Sequence, residues 1–128
     1  MPSYHVRIAT IAASTDEKWI DNLLSKHEVP GVERARQGVE RRISHQGLRH
    51  IVLIRRLTKS AGVPTSRAVA LASRVLATDN GCIALADAIE LRVDRVTLSR
   101  EIDLLLADAV ETVVRPKRGR PASKPEGR

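Results

Sequence analysis

The most continuously apolar stretch of the chain runs from Leu48 to Leu57, where Leu48, Ile51, Val52, Leu53, Ile54 and Leu57 follow one another with no helix breaker before Gly62. At 100° per residue these side chains spread over most of a helical circumference rather than one stripe, which predicts a helix buried on several sides. Ser44 is placed to cap it, because its hydroxyl can accept from the free amides of the first turn. A helix over about 44–61 is therefore expected as the central post of the fold. Directly before it, Arg36, Gly38, Arg41 and Arg42 form a basic, glycine-containing segment. Val39 and Ile43 would anchor that segment as a short hairpin or an extended loop.

Two shorter helical patterns come first. Val6, Ile8, Ile11 and Ala12 suit one helix, and Ser14, Thr15 and Asp16 interrupt the pattern and recap it. The second helix carries Trp19, Ile20, Leu23 and Leu24 toward one side and Lys18, Asn22 and Ser25 toward the other, with Asp21 and Lys26 at the margins. This is the pattern of a helix-turn-helix, whose second helix offers polar side chains to base edges in the major groove. It is equally the pattern of a plain helical hairpin that contributes only to a core. Val29-Pro30-Gly31 closes the second helix.

Beyond Gly62, Pro64 suits the first turn of a further helix, with Ala68, Val69, Leu71, Ala72, Val75 and Leu76 as its apolar side and Asn80-Gly81 as its end. From Cys82 the period becomes two. Ile83, Leu85, Ile89, Leu91 and Val93 alternate across a turn near Asp87, which predicts a β-hairpin with one apolar face. Such a hairpin is marginal alone and needs a cover. The last helix, expected over about 97–114, spaces Leu98, Ile102, Leu105, Leu106, Ala109, Val110 and Val113 helically. It either folds back over the hairpin or pairs with its copy in a second chain. Its outer acids, Glu101, Asp103, Asp108 and Glu111, are unsuited to DNA and suited to a protein partner.

Charge sharpens this picture. The 128 residues carry a net charge of +7, unevenly placed. Residues 26–59 hold nine Lys/Arg against three Glu, and 115–128 hold six against one, whereas 77–114 hold three against eight acids. Two basic blocks around an acidic one favour a polyanionic partner, most simply nucleic acid. Aromatic residues make up 2% of the chain, which argues against a module that stacks unpaired RNA bases. No apolar run reaches the roughly 20 residues of a membrane span, and the N-terminal residues 1–7 lack the apolar stretch of a signal peptide. A cytoplasmic location is expected, on the nucleoid if the source is bacterial.

Catalytic chemistry finds little footing. No glycine-rich phosphate loop is present, His45 and His50 do not share a helical face, and the acids of 79–111 spread out rather than pair for acid and base work. The four histidines read as surface or groove-lining groups. The single Cys82 excludes an internal disulfide and a cysteine-based zinc site within one chain. No enzyme activity, cofactor or metal is expected.

The tail from Arg115, with three Pro and little apolar content, reads as disordered. It contains Lys117-Arg118-Gly119-Arg120-Pro121, which resembles an AT-hook. Glycine allows close approach to the minor-groove floor, Pro121 keeps the chain extended, and Arg118 and Arg120 lie along a narrow groove of enhanced negative potential. A basic tail of this kind also serves solubility alone. Beside it, residues 4 to about 76 resemble the winged-helix DNA-binding domain of the MerR and excisionase-like families. The resemblance rests on Ile8-Ala9-Thr10-Ile11-Ala12, on Gly38 to Ser44 as a wing running into a capped helix, on Leu48 to Leu57 with its Ile-Arg-Arg-Leu string, and on Gly62-Val63-Pro64. Four features depart from it. The first turn is shorter, Asp21 stands where the family usually has Arg, the wing is about one residue too long, and the family's long dimerisation helix and effector cysteines are missing after residue 76.

The resemblance implies a mainly α fold, a winged helix-turn-helix over 1–77, followed by a hairpin-plus-helix unit over 78–114 and the tail over 115–128. Lys18, Asn22, Ser25 and Lys26 would face the major groove. Arg34, Arg36, Arg41 and Arg42 of the wing would hold phosphates, giving affinity and register rather than sequence choice. The expected role is a small transcriptional regulator of A/T-rich duplex DNA, dimeric through residues 82–114. The alternative is an antitoxin or adaptor whose acidic unit binds a protein partner, with DNA binding secondary.

Overall fold

In a computed structural model of the chain, residues 3–33 and 41–114 are described, without the side chains of 110–114. The order is β1 (Ser3–Tyr4), α1 (Val6–Ala12), α2 (Glu17–Lys26), β2 (Ile43–Ser44), α3 (His45–Lys59), α4 (Thr65–Leu76), β3 (Cys82–Ala86), β4 (Ile89–Arg92) and α5 (Arg95–Val114). The described residues are mainly helical, with two small antiparallel sheets, β1-β2 and β3-β4.

The central helix forms where the apolar run predicts it. The Ser44 hydroxyl accepts from the Gly47 amide at 3.2 Å, satisfying one of the orphan donors of the first turn. Leu48, Ile51, Val52, Leu53, Ile54 and Leu57 are all buried, on several sides of the helix. The side chain of His50 is buried with them, so it is not the surface or groove-lining group expected from sequence. Its Nδ1 lies 2.9 Å from the Gln46 carbonyl.

Around α3 the other elements supply small or aliphatic faces. α4 packs along it through Ala68, Leu71, Ala72 and Val75, and fully buried alanines let the two backbones come close. Ile43 is the node of the first sheet. Its backbone pairs with Tyr4 on one side and forms a bridge to Val32 on the other, and its side chain is wholly buried.

The last helix packs within its own chain, but not over the hairpin as expected. Leu98, Ile102 and Leu106 enter the same core as Val6, Ala9 and Ile51, and the principal neighbours of α5 are α1 and α3 rather than the hairpin. Leu98, Ile102, Leu106 and Ala109 of its stripe are thus buried within its own chain. Two of the acids expected to face a partner instead pair with α3 at its surface. Asp103 Oδ1 lies 2.9 Å from His45 Nε2, and Glu101 Oε1 accepts from Arg56 Nη1 at 2.6 Å. Those acids are two positions apart and so point to nearly opposite sides of α5, while their partners are about 16 Å apart along α3, which sets α5 across α3.

The second sheet pairs Ile83 with Leu91, and its register shifts between Ala84 and Ala86. Ile83 is buried and Leu91 and Val93 are partly so, but Leu85 and Ile89 are 36% and 54% exposed. The apolar face is therefore covered only at its base. That base is tied down by Arg95, whose guanidinium donates to the carbonyls of Thr78 and Asp79 beyond α4. Asp94 caps α5 by accepting from the Thr97 amide at 3.0 Å. That bond holds the Asp94 carboxyl below the usual carboxylate range.

Candidate nucleic-acid interface

The α1–α2 pair is built from local capping. His5 caps α1, its Nδ1 accepting from the Arg7 amide. At the other end Thr15 N–H donates to Thr10 O and Ser14 N–H to Ile11 O, with Ser14 at φ 55°. This is a Schellman stop with serine in the left-handed position that glycine usually takes. Asp16 then accepts from the Trp19 amide at 2.8 Å and starts α2. The two helices are joined by a tight, fully capped turn.

Ile20 and Leu23 of α2 are buried, and the Trp19 ring lies 5.0 Å below the Arg55 guanidinium of α3. The buried Nε of Arg55 has no hydrogen-bond partner, so the ring face is what receives that cation. On the outer side Lys18, Asn22, Ser25 and Lys26 are all exposed. The Ser25 hydroxyl donates to the Asp21 carbonyl at 2.6 Å, leaving its lone pairs free to accept. Charge on α2 itself balances, since Glu17 and Asp21 offset Lys18 and Lys26. Positive potential on this face must come from its flanks.

One flank is the base of the segment read as a wing. Glu33 N–H donates to Arg42 O at 2.9 Å, next to the Val32–Ile43 bridge, so 32–33 and 42–43 run antiparallel. Arg41 reaches α2, where its Nη1 lies 3.1 Å from Asp21 Oδ1. Arg42 turns instead to β1, donating from Nε to Ser3 Oγ and from Nη2 to Ser3 O at 3.1 and 3.0 Å. Arg34 and Arg36 lie outside the described residues, as do Lys117, Arg118, Gly119, Arg120 and Pro121 of the tail.

The base is pinned to α3 by a close backbone approach. Ser44 donates twice to the Gly31 carbonyl, from its amide and from its hydroxyl, each at 2.9 Å. Gly31 has φ 85°, a conformation that glycine adopts without steric cost. Between this base and the end of α2 opens a cleft of about 670 Å³, with Ser25, His27, Glu28, Arg41 and Ser73 among its lining residues.

Sequence reasoning placed Lys18, Asn22 and Ser25 of α2 on one side, Lys26 at its margin and the wing arginines beside them. It missed the pairing of Asp21 with Arg41, of Trp19 with Arg55 and of Ser3 with Arg42. Each joins residues far apart in the chain, and only the basic-plus-acidic composition of 16–42 hinted at internal pairing. Among the described residues no group of three or more His, Cys, Asp or Glu side chains is arranged to hold a metal ion, and no helix is long and apolar enough to cross a membrane. Cys82 donates to Glu90 Oε1 at 3.0 Å, and that hydrogen bond raises its thiol pKa. No family model matches the chain, and no significant match is found among curated proteins or solved structures.

Proposed function

We propose that residues 1–77 form a winged helix-turn-helix that binds duplex DNA, with α2 as its major-groove helix and residues 32–43 as its wing. The chain would act as a small transcriptional regulator. The observation that carries this reading is the exposed polar face of α2, Lys18, Asn22, Ser25 and Lys26, bordered by the arginine-bearing base of an antiparallel segment. Arg42 and the arginines of the wing would add phosphate contacts, which supply affinity and salt dependence. The Arg118-Gly119-Arg120-Pro121 tail would favour A/T-rich minor grooves and raise the effective concentration of the folded part on the same DNA.

A second reading has one observation in its favour. Leu85, Ile89, Val96 and Leu104 are exposed on the hairpin and α5, and these, rather than the buried stripe of α5, would meet a second copy or another protein.

The test is an anisotropy titration of the full chain and of residues 1–114 against A/T-rich and G/C-rich duplexes over a salt series. Truncation is expected to remove the A/T preference and leave salt-sensitive binding. Absence of duplex binding by either protein at moderate salt would end the DNA reading and turn attention to protein partners of residues 82–114.

A further inference from the structure

We propose, on the reading that α2 meets duplex DNA, that Arg41 is a base-reading residue for a G·C pair and that Asp21 is its positioning residue. Sequence alone assigns Arg41 to the phosphate backbone. Its surroundings favour a different task.

Lys18, Asp21, Asn22 and Ser25 are separated by three, one and three residues, which places all four within about 100° of arc on α2. Asp21 thus lies at the edge of the exposed polar stripe, on the side nearest the wing base. Arg41 joins that stripe through the 3.1 Å contact between its Nη1 and Asp21 Oδ1. Arg42 follows directly and turns to Ser3, as neighbours on an extended segment point to opposite sides. Only the first of the two arginines is delivered to the reading face.

Two properties of the pair suit it to a base rather than a phosphate. The carboxylate cancels the charge of the guanidinium, so the pair as a whole gains little from the backbone potential. The guanidinium is also held. Its side chain is 21% exposed, and one N–H direction is taken by Asp21, while the other donors of the planar fork stay in fixed relation to it. A fork of this kind matches the O6 and N7 acceptors of guanine. Asp21, 54% exposed, keeps a second oxygen able to accept from the N4 amino group of cytosine. Arginine and aspartate therefore present the complement of one G·C edge. A single such pair within an A/T-rich site is compatible with a tail that reads the minor groove.

The experiment is selection of bound duplexes from a randomised pool by the full chain, followed by anisotropy on the recovered duplex and on a version with its G·C pair replaced by A·T. The wild type is compared with Arg41→Lys, Arg41→Gln and Asp21→Asn, each checked for unchanged thermal unfolding. The wild-type chain should recover a fixed G·C pair, and replacing that pair should weaken its binding by about five- to a hundredfold. Arg41→Lys and Asp21→Asn should each lose most of that discrimination, since lysine keeps the charge without the fork. Arg41→Gln should leave the salt dependence unchanged.

A wild-type consensus that the variants share, or one with no fixed G·C pair, would overturn the inference while leaving DNA binding intact. So would an Arg41→Lys protein that behaves as wild type beside an Arg41→Gln protein whose log–log salt slope falls by about one, the mark of a phosphate contact. Enrichment of no duplex by the wild-type chain would remove the DNA reading and this inference together.

Discussion

Gly31 and Gly47 meet so closely that neither position has room for a side chain. A Cβ at Gly47 would lie 2.7 Å from the Gly31 carbonyl oxygen, and one at Gly31 would lie 2.4 Å from the Gly47 amide nitrogen. The contact fixes the base of the 32–43 segment against the first turn of α3. In an open helix Gly→Ala stabilises by about 1 kcal/mol. At position 47 the sign should reverse, with Gly47→Ala costing about 1–3 kcal/mol through overpacking against backbone. Gly31→Ala should cost at least as much, because it adds the strain of a positive φ. Urea unfolding measures both, and a stabilised Gly47→Ala protein would refute the contact.

The stacking of Arg55 on Trp19 should couple α2 to the central helix. A double-mutant cycle with Trp19→Leu and Arg55→Met is expected to give an interaction of about 0.5–2 kcal/mol, the range for a cation over an indole face from exposed to desolvated sites. Coupling within error of zero would mean that α2 is held by Ile20 and Leu23 alone.

His50 makes stability depend on pH in a defined direction. Burial lowers its pKa, outweighing the opposing effect of the Gln46 carbonyl, and the nearby charge of Arg49 lowers it further. The folded protein therefore binds a proton at His50 less readily than the unfolded chain. Stability is complete above the unfolded histidine value, about 6.5, and falls as pH drops from there toward the folded value. Chemical unfolding at pH 7.5 and 5.5 should show wild type losing more stability than His50→Gln over that interval. Equal losses would remove His50 as the cause.

α5 is expected to be held by its apolar stripe rather than by its ion pairs. Ile102 is fully buried, and Ile102→Ala should cost about 2–5 kcal/mol. Asp103→Ala removes a partner of His45 from a carboxylate that is 68% exposed, and should cost less than about 1 kcal/mol. Thermal unfolding of the two variants decides the ranking. The reverse order would mean that the polar contacts across α3 dominate.

Much of this architecture is legible along the chain because its causes are local. The Ser44 cap, the turn through Ser14 and Asp16, the all-round burial of Leu48 to Leu57 and the Ile83–Leu91 pairing follow from caps and periods within a few residues of each other. The reach of the hairpin beyond its cover was not legible. Alternation marks Leu85 and Ile89 as one face with Ile83, but whether anything lies over that face depends on where α5 goes. His50 is not legible for a related reason: a polar residue inside an apolar run reads as surface, whereas a carbonyl one turn back, on Gln46, lies 2.9 Å from its Nδ1 in the core.

The sequence by itself determined which segments are helices, where α2 and α3 begin, and which side of α2 is polar, since a helix reads only its neighbours three and four residues away; α4 stops at Leu76, short of the expected Asn80-Gly81. Tertiary structure decided that α5 lies across α1 and α3 rather than over the hairpin. It also brought Arg41 to Asp21 and set Gly31 against Gly47. Those relationships join residues from 16 to more than 80 positions apart, and nothing in local periodicity encodes them. They follow from the crossing of packed helices, whose angles and separations are set only when the whole core closes.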